Sequence, residues 1–171
     1  MRAIPLTVTA LAAALLLTAC NDSGSKSADK NSSGCAIGGV SVQIGSASVA
    51  PKAGDTGEIP VSITNQSKPC TLDKFAGVSL NTGKAKTDMP QLKGAKAQRL
   101  KLAKGDSASF TISYVRGEAS GKNSLDVKSV TITLPGTTAS HSFPWSYGPV
   151  AVQPGGTAPN ASVSAFQQVG D

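Results

Sequence analysis

Apolar and polar residues alternate along most of the chain after residue 39. In the clearest run, from Ala108 to Tyr114, every second residue is apolar and the residues between them are serine or threonine. A period of two is typical of a strand with one buried and one solvated face. Shorter or weaker runs surround Val42, Val61, Val78, Lys101, Ile132, Trp145 and Ser164. The pattern predicts seven or eight short strands.

Turn residues separate these runs, and together they predict an all-β antiparallel sandwich. The apolar positions shift by one residue after Gly45, to Ala47 and Val49, which predicts a bulge or a change of sheet. Pro144 cannot donate a ladder hydrogen bond, so its run is expected at an edge or a bulge.

One segment, residues 90–103, also fits a helix. Four residues would share one stripe of that helix: Leu92, Ala95, Arg99 and Leu102. Gly94 lowers the helix propensity, and the end of the segment alternates around Lys101. We therefore expect a loop followed by a strand.

The N-terminus reads as an export signal over residues 1–19. Arg2 gives a positive start, and residues 4–17 form an apolar run that is shorter than the about 20 residues needed to cross a bilayer. The sequence LTAC at residues 17–20 resembles the bacterial lipobox, in which the cysteine is acylated and becomes the new N-terminus. Cys20 is therefore the predicted lipidation site. An ordinary signal peptide that happens to contain a cysteine is the alternative.

The residues after Cys20 predict a flexible linker over residues 20–34. Serine, glycine and cancelling charges dominate this stretch, and its one apolar side chain before Cys35 is Ala28. Such a composition cannot offset the entropy of ordering. The sequence thus predicts a single β-sandwich domain over residues 35–171, tethered by lipid to the outer face of the cell membrane.

Two cysteines remain once Cys20 is assigned to the lipid. An even count in an exported protein predicts a disulfide between Cys35 and Cys70. Closing a loop of about 36 residues would contribute roughly 3–4 kcal/mol in the chain-entropy model. Two free thiols are the alternative.

Residues 57–80, GEIPVSITNQSKPCTLDKFAGVSL, resemble a known family. The positions that match its pattern are Asn65, Ser67, Pro69, Cys70, Thr71, Leu72, Gly77 and Val78. The family is a domain of unknown function common in secreted and lipid-anchored actinobacterial proteins, and Cys35 matches the cysteine that opens such domains. Residues 74–76 depart from it, because a Gly-Tyr-Pro-type turn is usual there. The resemblance implies an immunoglobulin-like fold and no activity.

Positive charge is concentrated in residues 84–104, the basic segment. It holds seven basic residues: Lys84, Lys86, Lys93, Lys96, Arg99, Lys101 and Lys104. Only Asp88 opposes them, so the segment carries net +6, whereas the chain from Cys20 onward carries net +5. A polyanion contact is one interpretation, with anionic lipid headgroups or phosphate-bearing wall polymers as partners. The other interpretation is that these lysines solvate a loop or protect a sheet edge. An extracellular location argues against nucleic acid as the partner.

Catalytic, metal and cofactor sites are not predicted. His141, the single histidine, lies between serines in an alternating run, and no G-x-S-x-G motif accompanies it. Asp55 and Glu58 fit turn solvation before a strand, and the carboxylates lack metal-ligand spacing. The sequence therefore predicts a non-catalytic interaction module. The alternative is an accessory lipoprotein that docks on a membrane protein.

Three aromatic residues, Phe143, Trp145 and Tyr147, share one face of their run. They suit either a sugar-stacking platform or the core. We favour the core, because the domain has few other aromatic side chains with which to fill its interior.

Overall fold

A computed structural model describes residues 34–169, and these form thirteen β-strands and one 3₁₀ turn, Ile37–Gly39. The strands are β1 Val40–Ile44, β2 Thr56–Asn65, β3 Cys70–Leu72, β4 Gly77–Asn81, β5 Lys86–Asp88, β6 Leu100–Leu102, β7 Ser107–Val115, β8 Ser124–Leu125, β9 Ser129–Thr133, β10 Ser140–Pro144, β11 Val150–Ala151, β12 Ala161–Val163 and β13 Gln167–Val169. No helix among the described residues is long and apolar enough to cross a membrane.

The larger sheet has five strands. Its order is β1-β2-β7-β12, and β13 also pairs with β7. The central pair, β2 and β7, is antiparallel over nine residue pairs, from Thr56 opposite Val115 to Thr64 opposite Ser107. Alternate residues of both strands are buried, as the period of two predicts.

The second large sheet has four strands in the order β10-β9-β4-β5, and smaller sheets pair β3 with β6 and β8 with β11. The inner faces of both large sheets contribute to one core, which includes Phe110 and Ile112 from β7 and Val130 and Ile132 from β9. This arrangement confirms the predicted antiparallel β-sandwich. The immunoglobulin-like assignment stays a prediction.

A bulge lies beside Gly45, where the apolar parity shifts. The β1–β2 ladder ends at Ile44 opposite Val61, and the two segments pair again at Ser48 opposite Glu58. Four residue steps after β1 therefore lie opposite three residue steps of β2, which is the signature of a bulge. The Gly45 N–H donates to the Pro60 carbonyl at 2.9 Å. The N–H and C=O groups of a strand residue point to the same side. The position where Pro60 lacks an N–H therefore lies on the side of the bulge.

Other local expectations have mixed outcomes. Residues 90–103 form a loop and then β6, and Pro144 ends the edge strand β10, both as predicted. Ala47 packs against the core, but Val49 is 46% exposed and does not continue the inward face. The weak run near the C-terminus is two strands, because β12 and β13 each pair with a different part of β7.

Asn65 organises one end of the sandwich. Its fully buried side chain donates through Nδ2 to the carbonyls of Lys68, Leu102 and Ala103 at 3.0–3.1 Å. Its Oδ1 accepts from the Ser67 N–H at 3.0 Å. These bonds close the turn between β2 and β3 and fasten it to β6. We call this the disulfide end.

Tyr114 organises the opposite end of β7. Its hydroxyl donates to the Tyr147 carbonyl at 2.9 Å and accepts from the Ala50 N–H at 3.3 Å. The Trp145 ring meets the Tyr114 ring edge-on, with centroids 5.3 Å apart. Gly57 is required opposite Tyr114, because a Cβ there would overlap the tyrosine ring. We call this the tyrosine end.

Candidate functional site

Cys35 and Cys70 form a disulfide with a Cα–Cα distance of 4.9 Å, which confirms the predicted pairing. The Cys35 N–H donates to the Thr71 carbonyl at 3.1 Å, so the chain enters the domain alongside β3. Residues 1–33, which include Cys20 and all of the predicted linker but Gly34, lie outside the described residues, and the anchor stays a prediction.

All seven basic side chains of the basic segment are exposed. They occupy four consecutive places: the β4–β5 hairpin with Lys84 and Lys86, the following loop with Lys93 and Lys96, the approach to β6 and β6 itself with Arg99 and Lys101, and the turn before β7 with Lys104. The local cause is simple. Only Leu100 and Leu102 of β6 face the core, so the intervening Lys101 projects to solvent.

The first of these places lies at the tyrosine end. Lys86 is opposite Asn81 in the β4–β5 pair. The Asn81 carbonyl accepts from the Lys128 N–H at 2.7 Å, and the Lys128 carbonyl accepts from the Trp145 N–H at 3.0 Å. Because Trp145 contacts Tyr114, Lys86 lies toward that end of the sandwich.

The last place lies at the disulfide end. Lys104 is in the turn where the Gly105 N–H donates to the Asn65 carbonyl at 2.7 Å. The two ends are separated by most of β7, and seven residue steps in a strand span about 23 Å. The positive charges therefore extend along the length of the sandwich and do not form one compact cluster.

The acidic groups beside the segment have local partners. Asp88 Oδ1 accepts from the Ser79 hydroxyl at 2.6 Å, and Asp106 Oδ2 accepts from the Ala103 N–H at 2.8 Å. The six lysines of the segment make no salt bridge within residues 34–169, where the described ion pair joins Lys128 and Asp126 at 2.7 Å. The six lysine charges are thus left to solvent or to a partner.

Two of the basic residues also sit where a sheet edge needs protection. Lys86 belongs to β5, the last strand of the four-stranded sheet, and Lys101 belongs to β6, which forms a two-stranded sheet with β3 in the described part of the chain. Charged side chains on such strands oppose pairing with another chain. Edge protection and a polyanion contact are compatible roles for these two lysines.

A groove that the sequence did not reveal lies at the tyrosine end, between the loop at residues 90–93 and the outer surface of β7 and β12. Ser113 and Ser162 line it and are directly opposite each other in the β7–β12 pair. Both serines occupy polar positions of alternating runs, and this pattern is the sign of the groove that the sequence offers. The pairing that brings them together is not visible in the sequence.

The aromatic residues pack into or against the core, which confirms the favoured interpretation. Trp145 is buried, and its Nε1 donates to the Gly148 carbonyl at 2.6 Å. Phe143 and Tyr147 are partly buried against the same core. Burial raises the pKa of Tyr147, and the nearby Tyr114 adds to the rise.

The remaining candidate groups have structural surroundings. His141 stacks on Phe143 with ring centroids 4.4 Å apart. Asp55 lies in a turn, where its carbonyl accepts from the Arg116 N–H at 2.9 Å, and Glu58 is exposed on β2. In the described part of the chain, no group of three or more His, Cys, Asp or Glu side chains is placed to hold a metal ion.

Comparison with protein families matches residues 35–167 to the model of a domain of unknown function, DUF4232. The chain belongs to this family. The DUF4232 match contains both cysteines of the disulfide, the Asn65 turn and the whole basic segment. The family description carries no activity. The chain matches none of the curated proteins.

Proposed function

We propose that this chain is an extracytoplasmic lipoprotein of the kind found in actinobacteria, held at the outer face of the cell membrane by a lipid on Cys20. Its domain, for which we propose an immunoglobulin-like topology, acts as a non-catalytic interaction module. The basic segment contacts anionic components of the envelope. Support for the anchor comes from the LTAC sequence at residues 17–20 and the polar linker after it.

One observation carries the proposed contact. The chain enters the domain at Cys35, whose N–H binds the Thr71 carbonyl, and Lys101 is directly opposite Thr71 in the β3–β6 pair. The polypeptide that leads back to the anchor therefore joins the domain one strand away from the basic segment. The sequence predicts a linker over residues 20–34, and a Gly/Ser-type linker of about that length spans roughly 20 Å, which would keep this strand within reach of the headgroups.

The spread of the charges suits a flat or extended anionic partner. Each Lys or Arg near an anionic membrane surface contributes about 1 kcal/mol, so several acting together give measurable affinity. A compact ligand would meet only a few of the seven side chains, whereas a membrane or a long polymer reaches several at once.

Residues 31–171, which contain the compact unit, are expected to co-sediment with vesicles rich in anionic lipid and not with zwitterionic vesicles. Adsorption should fall steeply as salt rises from 0.01 M, because the Debye length shrinks from about 30 Å to about 8 Å at physiological ionic strength. No adsorption at low salt would exclude the lipid contact. The accessory role on a membrane-protein partner would then be preferred.

Replacement of Cys20 with serine is expected to move the full chain from the detergent phase to the aqueous phase in a partition assay. Without its thiol, residue 20 cannot receive the acyl chains that hold the protein stably. Metabolic labelling with a fatty acid should mark the parent and not the Cys20→Ser variant. Equal membrane association of both proteins, or labelling of both, would contradict the anchor.

A further inference from the structure

The groove at the tyrosine end has the dimensions of a ligand site. Its volume is about 420 Å³, within the range of about 300–1,000 Å³ typical of small-molecule pockets. Two backbone hydrogen bonds hold its wall against β12: the Leu92 N–H donates to the Val163 carbonyl at 2.8 Å, and the Val163 N–H donates to the Pro90 carbonyl at 3.0 Å. The groove is therefore built on paired strands and a fastened loop.

Its lining is rich in uncommitted polar groups. Besides Tyr114 and Gln153, whose side chains hydrogen-bond within the protein, five uncharged polar side chains line it: Thr56, Gln91, Ser113, Asn160 and Ser162. None of the five donates or accepts a side-chain hydrogen bond within the described part of the protein. Elsewhere on the same sheet the hydroxyls of Thr64 and Ser107 bond each other at 2.8 Å. The groove thus concentrates donors and acceptors that remain available to a ligand.

The charge of the groove has one sign. Lys93 of the basic segment lies in the lining, which contains no carboxylate. Leu92, 45% exposed, adds an apolar surface beside it. Hydroxyls and amides next to one cation are complementary to a hydroxylated ligand that carries a negative charge.

We infer that the groove binds a polyol or sugar unit joined by phosphodiesters. Ser113, Ser162 and Asn160 bond the ligand hydroxyls, and Lys93 meets the phosphate. A polyol phosphate also occurs in some lipid headgroups. Because the basic side chains that continue from Lys93 extend along the sandwich, a ligand with repeated phosphates meets more of them than a single headgroup does, and this favours an extended polymer. The site goes beyond the proposed membrane contact and does not depend on it.

The test measures binding by the full chain in non-ionic detergent micelles. One probe is a polymer of glycerol phosphate, and the other is inorganic polyphosphate with the same number of phosphates. Both carry about one negative charge per phosphate, but only the first offers hydroxyls. Titration calorimetry should give an affinity about tenfold higher for the glycerol phosphate polymer, since a site built to bond hydroxyls discriminates against a ligand without them.

The serine pair provides a matched comparison. Replacing Ser113 and Ser162 with alanine should remove the tenfold preference, so that the two polymers bind with equal affinity. The control replaces Ser62 and Ser109, another directly opposed pair on the same sheet that lies outside the groove, and should keep the preference.

Three results would overturn the inference: equal affinity of the parent for both polymers, no binding of either polymer, or an unchanged preference in the Ser113→Ala/Ser162→Ala variant. Vesicles of phosphatidylglycerol and of phosphatidylserine distinguish the source of the ligand. A groove that selects a headgroup would give a serine-dependent preference for phosphatidylglycerol, and that result would contradict the polymer assignment. If the groove fails these tests, equal adsorption of the chain to both lipids would still support the separate membrane contact of the proposed function.

Discussion

Replacing both Cys35 and Cys70 with alanine is expected to lower the free energy of unfolding by about 3–4 kcal/mol, within the roughly 2–5 kcal/mol typical of small secreted domains. The bond joins residues separated by 35 positions, so its loss releases a long loop in the unfolded chain. It also fastens the entry of the domain to β3. Denaturant unfolding followed by the fluorescence of Trp145, the single tryptophan, measures the change.

The parent measured with reductant is the matched control, because it loses the bond and keeps both side chains. It should be destabilised by a similar amount. The unreduced, denatured parent should accept no alkylating group at Cys35 or Cys70, and the reduced protein should accept one at each. A change below about 1 kcal/mol, or alkylation of both thiols before reduction, would contradict a stabilising disulfide.

The long strands could be predicted because their two faces meet different surroundings. In β7 the even-numbered residues from Ala108 to Tyr114 are buried, and the odd-numbered residues lie on the outer face. The same contrast identified β2 and β9. The parity shift at Gly45 predicted a bulge or a change of sheet for a related reason, since one extra residue exchanges the two faces, and the structure has the bulge.

Most of the short strands could not be predicted, because two or three residues rarely establish a period, although the leucines on either side of Lys101 did predict β6. All three residues of β3 are buried, so this strand has no polar face to reveal it. Its burial comes from the disulfide, from β6 and from the Asn65 turn, all of which join distant parts of the chain. β5 has three residues and β8 and β11 have two each, and they were missed because runs this short establish no period.

Part of the candidate sites could be predicted from the sequence, and part depends on the fold. The composition of residues 84–104 is visible in the sequence, and so is the even number of cysteines after Cys20. The spread of the seven charges from one end of the sandwich to the other depends on strand pairing. The groove depends on two further non-local pairings, Gln91 with Val163 and Ser113 with Ser162. Such contacts can be recognised only after the fold is known.

Replacing four residues of the basic segment with glutamine is expected to weaken adsorption to anionic vesicles by about a thousandfold. The four are Lys93, Lys96, Arg99 and Lys101, all of them exposed. Each contributes about 1 kcal/mol near an anionic surface, and about 4 kcal/mol corresponds to nearly three powers of ten in affinity. Thermal stability should change little, because exposed substitutions away from the core have small effects. Co-sedimentation at low salt measures the affinity.

The measurement that tests the account most directly compares this variant with a control of equal net charge. The control replaces four exposed lysines outside the segment with glutamine: Lys52, Lys74, Lys122 and Lys128. Dissociation constants for anionic vesicles are measured side by side at low salt on residues 31–171. The account predicts that the segment variant binds at least a hundredfold more weakly than the control, which stays close to the parent. Equal weakening of the two variants would show that adsorption follows net charge alone and would contradict a contact surface at residues 84–104.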